Sequence, residues 1–121
     1  MAEVEVGGVR SPILTVGAVS DTAVVLIHGN PGEAADWNAL MQDLAADWYC
    51  VAPDMPGYGA ASKPDDFDYS TDGYAQHLDG IVEQLGIRRA HLVLEDLGGP
   101  WGMAWAAAHP DLVAKIGRAH V

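Results

Sequence analysis

The stretch His91-Leu-Val-Leu-Glu-Asp-Leu-Gly-Gly-Pro-Trp-Gly-Met103 decides how this chain is read. His91 to Leu94 is a short β-type run, Asp96 follows it, and Gly98 and Gly99 open a small-residue helix through Trp101, Trp105 and Ala108. The pattern predicts a strand, a sharp turn and a helix. A side chain held at such a turn projects from the carboxyl end of a strand, beside the free N–H groups of the following helix, and glycines there allow a tight bend and close packing. This geometry suits a nucleophile. The helix terminus favours the ionised form of Asp96, so its carboxylate can attack without a base to remove a proton first. The same residues also fit an aspartate that only caps the helix, and the turn alone leaves both readings open.

Working outward toward the N-terminus, Tyr74, Leu78, Ile81, Val82 and Leu85 share one helical face that stops at Gly86. His77 lies off that stripe and is expected to face solvent. Ser70, Thr71 or Asp72 can cap this helix, and residues 60–71 form a polar, acidic loop. Tyr49 to Ala52 reads as a buried strand, left by the loop Pro53-Asp-Met-Pro-Gly-Tyr-Gly59, in which Asp54 is expected to bond loop backbone rather than to act in catalysis. Trp37, Leu40, Met41, Leu44 and Trp48 recur at helical spacing and are expected to be one buried face. Ala23 to Ile27 is an unbroken apolar run of the kind found in strands covered on both sides. It ends in His28-Gly29-Asn30-Pro31-Gly32, a tight turn whose N–H groups can serve an oxyanion or simply join strand to helix. Val4 and Val6, then Ile13 to Val16 after Gly7-Gly8, predict an antiparallel start. Strands alternating with helices imply a mostly parallel sheet, with helices on both faces and sites at the carboxyl ends of the strands. The His28 turn and Asp96 both fall at that end.

Composition bounds the function classes. A chain of 121 residues with 17 acidic and 6 basic side chains carries a formal net charge of -11, which disfavours nucleic acid and anionic membrane surfaces as partners. A small-molecule substrate is expected instead. The one cysteine, Cys50, lies in an apolar run and has no partner for an internal disulfide, which fits a reducing compartment. No run approaches the ~18 apolar residues of a membrane span, and Met1 to Val6 has no signal-peptide pattern, so a cytoplasmic location is expected. No metal site and no cofactor are expected.

In their order along the chain, the His28-Gly29-Asn30-Pro31 turn, the Asp54 to Gly59 loop and the elbow at Asp96 resemble the α/β-hydrolase superfamily, over residues 3 to about 115. The elbow nucleophile there is usually serine. An aspartate, with the segment Gly57-Tyr-Gly-Ala-Ala-Ser-Lys-Pro64, resembles the haloalkane dehalogenase and epoxide hydrolase branch. The fold implied is the N-terminal half of an α/β-hydrolase core, residues 1–115, with the cap and C-terminal half absent. The departures are Leu97 where dehalogenases place a halide-binding tryptophan, Leu94 where a small residue is common, and Ala61 in place of a serine. Asn30 matches the second halide ligand.

The resemblance implies, for an intact parent, a two-step hydrolysis of epoxide or carbon–halogen substrates. Asp96 forms an ester with substrate carbon, and a histidine supported by an acid activates water to release it. The backbone N–H groups of Asn30 and Leu97 are the implied oxyanion or leaving-group donors, with His28, Gly29, Pro31, Gly98 and Gly99 as structural motif residues. None of His28, His77, His91 and His109 is assignable as the base, so the chain itself is expected to be inactive in turnover. Its alternative is a non-catalytic small-molecule binder of the same fold. Residues 116–121, Ile-Gly-Arg-Ala-His-Val, match the translation of a widely used sequencing adapter and are expected to be an artefactual tail.

Overall fold

The computed structural model describes residues 2–119. Six strands form one mixed sheet in the order β1-β2-β4-β3-β5-β6. A hairpin of β1 (Ala2–Val6) and β2 (Val9–Val16) runs antiparallel along one edge, turned by Gly7 and Gly8, both at positive φ. From β4 (Cys50–Pro53) through β3 (Thr22–Ile27) and β5 (Arg89–Glu95) to β6 (Val113–Ala119) the strands are parallel. This is the parallel sheet with an antiparallel start that the sequence predicts.

The unbroken apolar run of β3 is buried on both faces, and its alternate residues enter two cores. Ala23, Val25 and Ile27 face α2 (Thr71–Gln84) and α3 (Gly98–Ala108), joining Leu78, Ile81, Val82, Trp101 and Trp105. Val24 and Leu26 face the opposite side, against Trp37 and α1 (Asn38–Leu44), with Met41, Cys50 and Ala52. Period-two alternation in a strand sends neighbours to opposite faces, so an all-apolar strand needs cover on each.

Two local expectations are corrected. His77 is buried, not solvent-facing: its Nε2 lies 2.8 Å from Ser11 Oγ of β2. The buried face of α2 is wider than its aliphatic stripe because the hairpin also packs there, with Gly80 against Val6 and the Gln84 amide donating to the Glu5 carbonyl at 2.6 Å. On α1, only Trp37 and Met41 of the expected face are buried, while Leu40 and Trp48 are 40% and 39% exposed. The helix ends at Leu44, so Trp48 lies beyond it and meets His91 edge-on at 5.0 Å. Ser70 does cap α2, accepting from the Gly73 N–H at 3.2 Å, and Gly86 follows the helix at positive φ.

Residues 116–119 of the expected tail belong to β6, paired in parallel with Leu92 to Glu95, and His120 and Val121 lie outside the described residues. No helix among the described residues is long and apolar enough to cross a membrane.

Candidate active site

Asp96 stands at the carboxyl end of β5 with φ of 50°, the one non-glycine residue at positive φ among those described. An L-residue in the left-handed region costs about 1–2 kcal/mol, so surrounding contacts must hold it there. They do so through backbone: the Gly99 N–H donates to the Asp96 carbonyl at 2.9 Å, and Trp101 N–H to the Leu97 carbonyl at 3.4 Å. The first turn of α3 is thus built on the Asp96 main chain, with Leu97 at the N-cap position and no side-chain cap bond. The Asp96 side chain takes its hydrogen bond from another loop. Its Oδ2 accepts the Asn30 N–H at 3.1 Å, across 66 residues of sequence.

Glycines permit that approach. A Cβ on Gly29 would collide with the Asp96 side chain, and one on Gly98 would sit 2.6 Å from the carbonyl oxygens of Ile27 and His28. The second collision fixes how tightly α3 packs on the end of β3. Gly102 sits one turn further along, where a Cβ would strike the Leu94 side chain. The large residue at Leu94 is therefore accommodated by a glycine on the facing helix, and it is fully buried.

Two further groups hold the loops around Asp96. The His28 ring is buried, donates from Nδ1 to the Gly29 carbonyl at 2.9 Å and accepts the Met55 N–H at Nε2 at 3.0 Å. A donor-only amide at Nε2 fixes the tautomer, and burial, opposed by the Gly29 bond and nearby carboxylates, lowers its pKa, so the ring is neutral. Buried Asp54 accepts from Ala34 N–H at 2.8 Å and from Ala60 N–H at 3.0 Å. As its position before a Pro-Gly turn predicts, it bonds loop backbone, clasping the loop after β3 to the loop after β4.

Hydrogen bonding keeps the exposed Asp96 carboxyl below the ordinary carboxylate range: the Asn30 N–H is the main cause. The Leu97 N–H faces the same carboxylate without reaching full hydrogen-bond geometry and contributes second. Both backbone donors singled out from the sequence therefore converge on this one group. The Leu97 side chain is 42% exposed, Asn30 and Pro31 are exposed beside it, and Gly98 and Gly99 are buried. The Asn30–Pro31 peptide is cis.

No described histidine hydrogen-bonds to Asp96. His28 is engaged as above, His77 with Ser11, His91 with Trp48, and His109 with Asp79 at 3.0 Å. Among the described residues no group of three or more potential ligands could hold a metal ion. Tyr58, which the sequence reading did not single out, packs its ring edge-on to His28 at 5.1 Å and tilted on Trp101 at 5.9 Å. Its flanking glycines, Gly57 and Gly59, both at positive φ, were the available signal.

A family model described as the alpha/beta hydrolase fold matches residues 22–116. The chain belongs to this family. It is 34% identical over 104 residues to a haloalkane dehalogenase of Agrobacterium fabrum, covering 86% of this chain and 34% of the relative. It is 33% identical over 117 residues to a 2-hydroxymuconate semialdehyde hydrolase of Pseudomonas sp. CF600, covering 94% and 41%. The solved structure of the epoxide hydrolase CorEH superposes with a TM-score of 0.89 at 26% identity, covering 97% of this chain and 40% of that one. The chain thus spans between a third and about two fifths of these three proteins, and corresponds to the N-terminal half of the alpha/beta hydrolase fold. Within that fold Asp96 occupies the elbow between the strand and helix next to the sheet centre, and the His28 turn occupies the end of the neighbouring strand.

Proposed function

We propose that Asp96 is the nucleophile of a hydrolase that works through a covalent ester on epoxide or carbon–halogen substrates. One observation carries the proposal: the Asp96 carboxylate, on a positive-φ turn, accepts the Asn30 N–H from the neighbouring strand's loop, while the α3 amide of Gly99 bonds the Asp96 main-chain carbonyl and not its side chain. A capping aspartate would spend its oxygens on the first amides of α3. The relatives span more than one substrate class, so kinship alone does not choose among chemistries, whereas an aspartate at the elbow does. A carboxylate is ionised at neutral pH and can displace a halide or open an epoxide directly.

In the first step an Asp96 oxygen bonds the electrophilic carbon, and the carbon–halogen or carbon–oxygen bond breaks. The Asn30 and Leu97 N–H groups hold the carboxylate so that one oxygen stays bonded to the protein and the other is free to attack. In the second step water, deprotonated by a base, adds to the ester carbonyl, and negative charge develops on the oxygen facing those N–H groups.

The test uses styrene oxide and 1-bromobutane as probes, with intact mass and peptide mapping after prolonged incubation. The expected result is a single slow, stoichiometric adduct on Asp96, absent from Asp96→Asn and from denatured protein. Labelling spread over the 17 acidic residues in proportion to exposure would remove Asp96 from the chemistry.

A further inference from the structure

We propose that His28 is a positioning residue: by holding one end of a peptide unit it aims the other end, the Asn30 N–H, at Asp96. The role rests on the reading of Asp96 as the nucleophile. Three hydrogen bonds run in series. The Met55 N–H donates to His28 Nε2 at 3.0 Å, His28 Nδ1–H donates to the Gly29 carbonyl at 2.9 Å, and the Asn30 N–H donates to Asp96 Oδ2 at 3.1 Å. The Gly29 carbonyl and the Asn30 N–H belong to one planar trans peptide and point opposite ways in its plane, so fixing the oxygen fixes where the N–H is directed.

That peptide needs an outside hold. Gly29 cannot carry a side chain, because the Asp96 side chain lies where its Cβ would be, and glycine leaves the adjoining peptide the freest to rotate. The His28 ring supplies the hold and is itself immobile. It is fully buried, edge-on to Tyr58 at 5.1 Å and to Trp101 at 6.3 Å. Met55, also fully buried, anchors it to the loop after β4, where the Asp54 N–H bonds the Pro12 carbonyl at 3.0 Å.

An amide N–H only donates and a carbonyl only accepts, so the series works in one tautomer alone, with the proton on Nδ1 and the lone pair on Nε2. Donation to a peptide carbonyl also polarises that peptide and strengthens the bond its N–H gives. His28 thus passes the position of the β4 loop to the nucleophile without touching substrate.

Two substitutions divide the bonds of the ring. The side-chain amide of Asn reaches about as far as Nδ1 and that of Gln about as far as Nε2. His28→Asn therefore keeps a donor for the Gly29 carbonyl and loses the acceptor for Met55, and His28→Gln does the reverse. The Asn30 amide proton is followed by NMR as Asp96 titrates, a signal identified by its loss in Asp96→Asn and so kept apart from nearby Asp54, Asp36 and Glu33. The rate of Asp96 alkylation by 1-bromobutane is measured on the same 121-residue proteins. In the unmodified chain the ring nitrogen shifts are expected to place the proton on Nδ1, and a proton on Nε2 would overturn the proposal before any variant is made. In His28→Gln the Asn30 response should be largely lost, the Asp96 titration should move up toward the ordinary carboxylate range, and alkylation should slow by about 10-fold. His28→Asn should recover most of each. Equal effects in the two variants would show that the ring only fills space, and would overturn the assignment. Absence of an adduct in every protein would instead sink the nucleophile reading, while the amide titration would still decide whether His28 aims the donor.

Discussion

Gly29 has no room for a methyl group, because the Asp96 side chain occupies the place a Cβ would take and the Glu95 carbonyl oxygen lies 2.7 Å from it. Both obstacles are held by the elbow, so neither can retreat without moving β5 against β3. Gly29→Ala should therefore destabilise the fold by about 1–3 kcal/mol through overpacking, read as a lower urea midpoint, and should abolish Asp96 labelling by breaking the Asn30 N–H contact. An unchanged midpoint would mean that the turn yields freely. The sequence announces Gly29 only as part of a Gly/Pro turn. That it is the surface on which the candidate nucleophile rests depends on two segments 66 residues apart meeting.

Between elements, His77 is the joint where α2 meets the hairpin. Burial lowers its pKa from 6.5 to about 4, and its Nδ1 is buried with no partner. A lowered folded-state pKa means that the unfolded chain binds the proton first as pH falls. Stability is thus intact above about 6.5, declines between 6.5 and about 4, and levels off below. The total loss from this residue is of order 3 kcal/mol. His77→Gln should flatten that part of the stability profile measured by denaturation at several pH values, and an unaltered slope would place the acid sensitivity elsewhere. Pairing of β6 is of another kind. Lys115, Ile116 and Gly117 are exposed, so the strand is held on β5 through its backbone more than by packing. Ending the chain at Lys115 should uncover the β5 edge and increase self-association in light scattering. A shortened chain that stays monodisperse would show that the edge is already protected.

For the whole molecule, none of the four described histidines hydrogen-bonds to Asp96, so under the proposed chemistry no described histidine serves as the base that hydrolyses an ester there. The expected behaviour is one covalent event per chain and no turnover, checked by counting product against protein after full labelling. Repeated turnover abolished by Asp96→Ala would mean that a base has been overlooked. The sheet is also unevenly covered. On β5 the residues facing α2 and α3 are buried, Ala90, Leu92 and Leu94, whereas His91, Val93 and Glu95 on the α1 side are half-exposed.

Local chemistry by itself determined the order of strands and helices, the antiparallel start, the cap at Ser70, the stop at Gly86 and the elbow at Asp96, because alternation, helical spacing and turn residues are all written within a few positions of where they act. Tertiary structure decided the rest. His77 looked exposed because its partner Ser11 is 66 residues away, and Trp48 looked buried because helical spacing continued past the point where the helix ends. Whether Asp96 caps a helix or faces a substrate could not be read from its neighbours, since both readings use the same turn. The one hydrogen bond that favours the second reading, from the Asn30 N–H to the Asp96 carboxylate, exists only once β3 and β5 lie side by side.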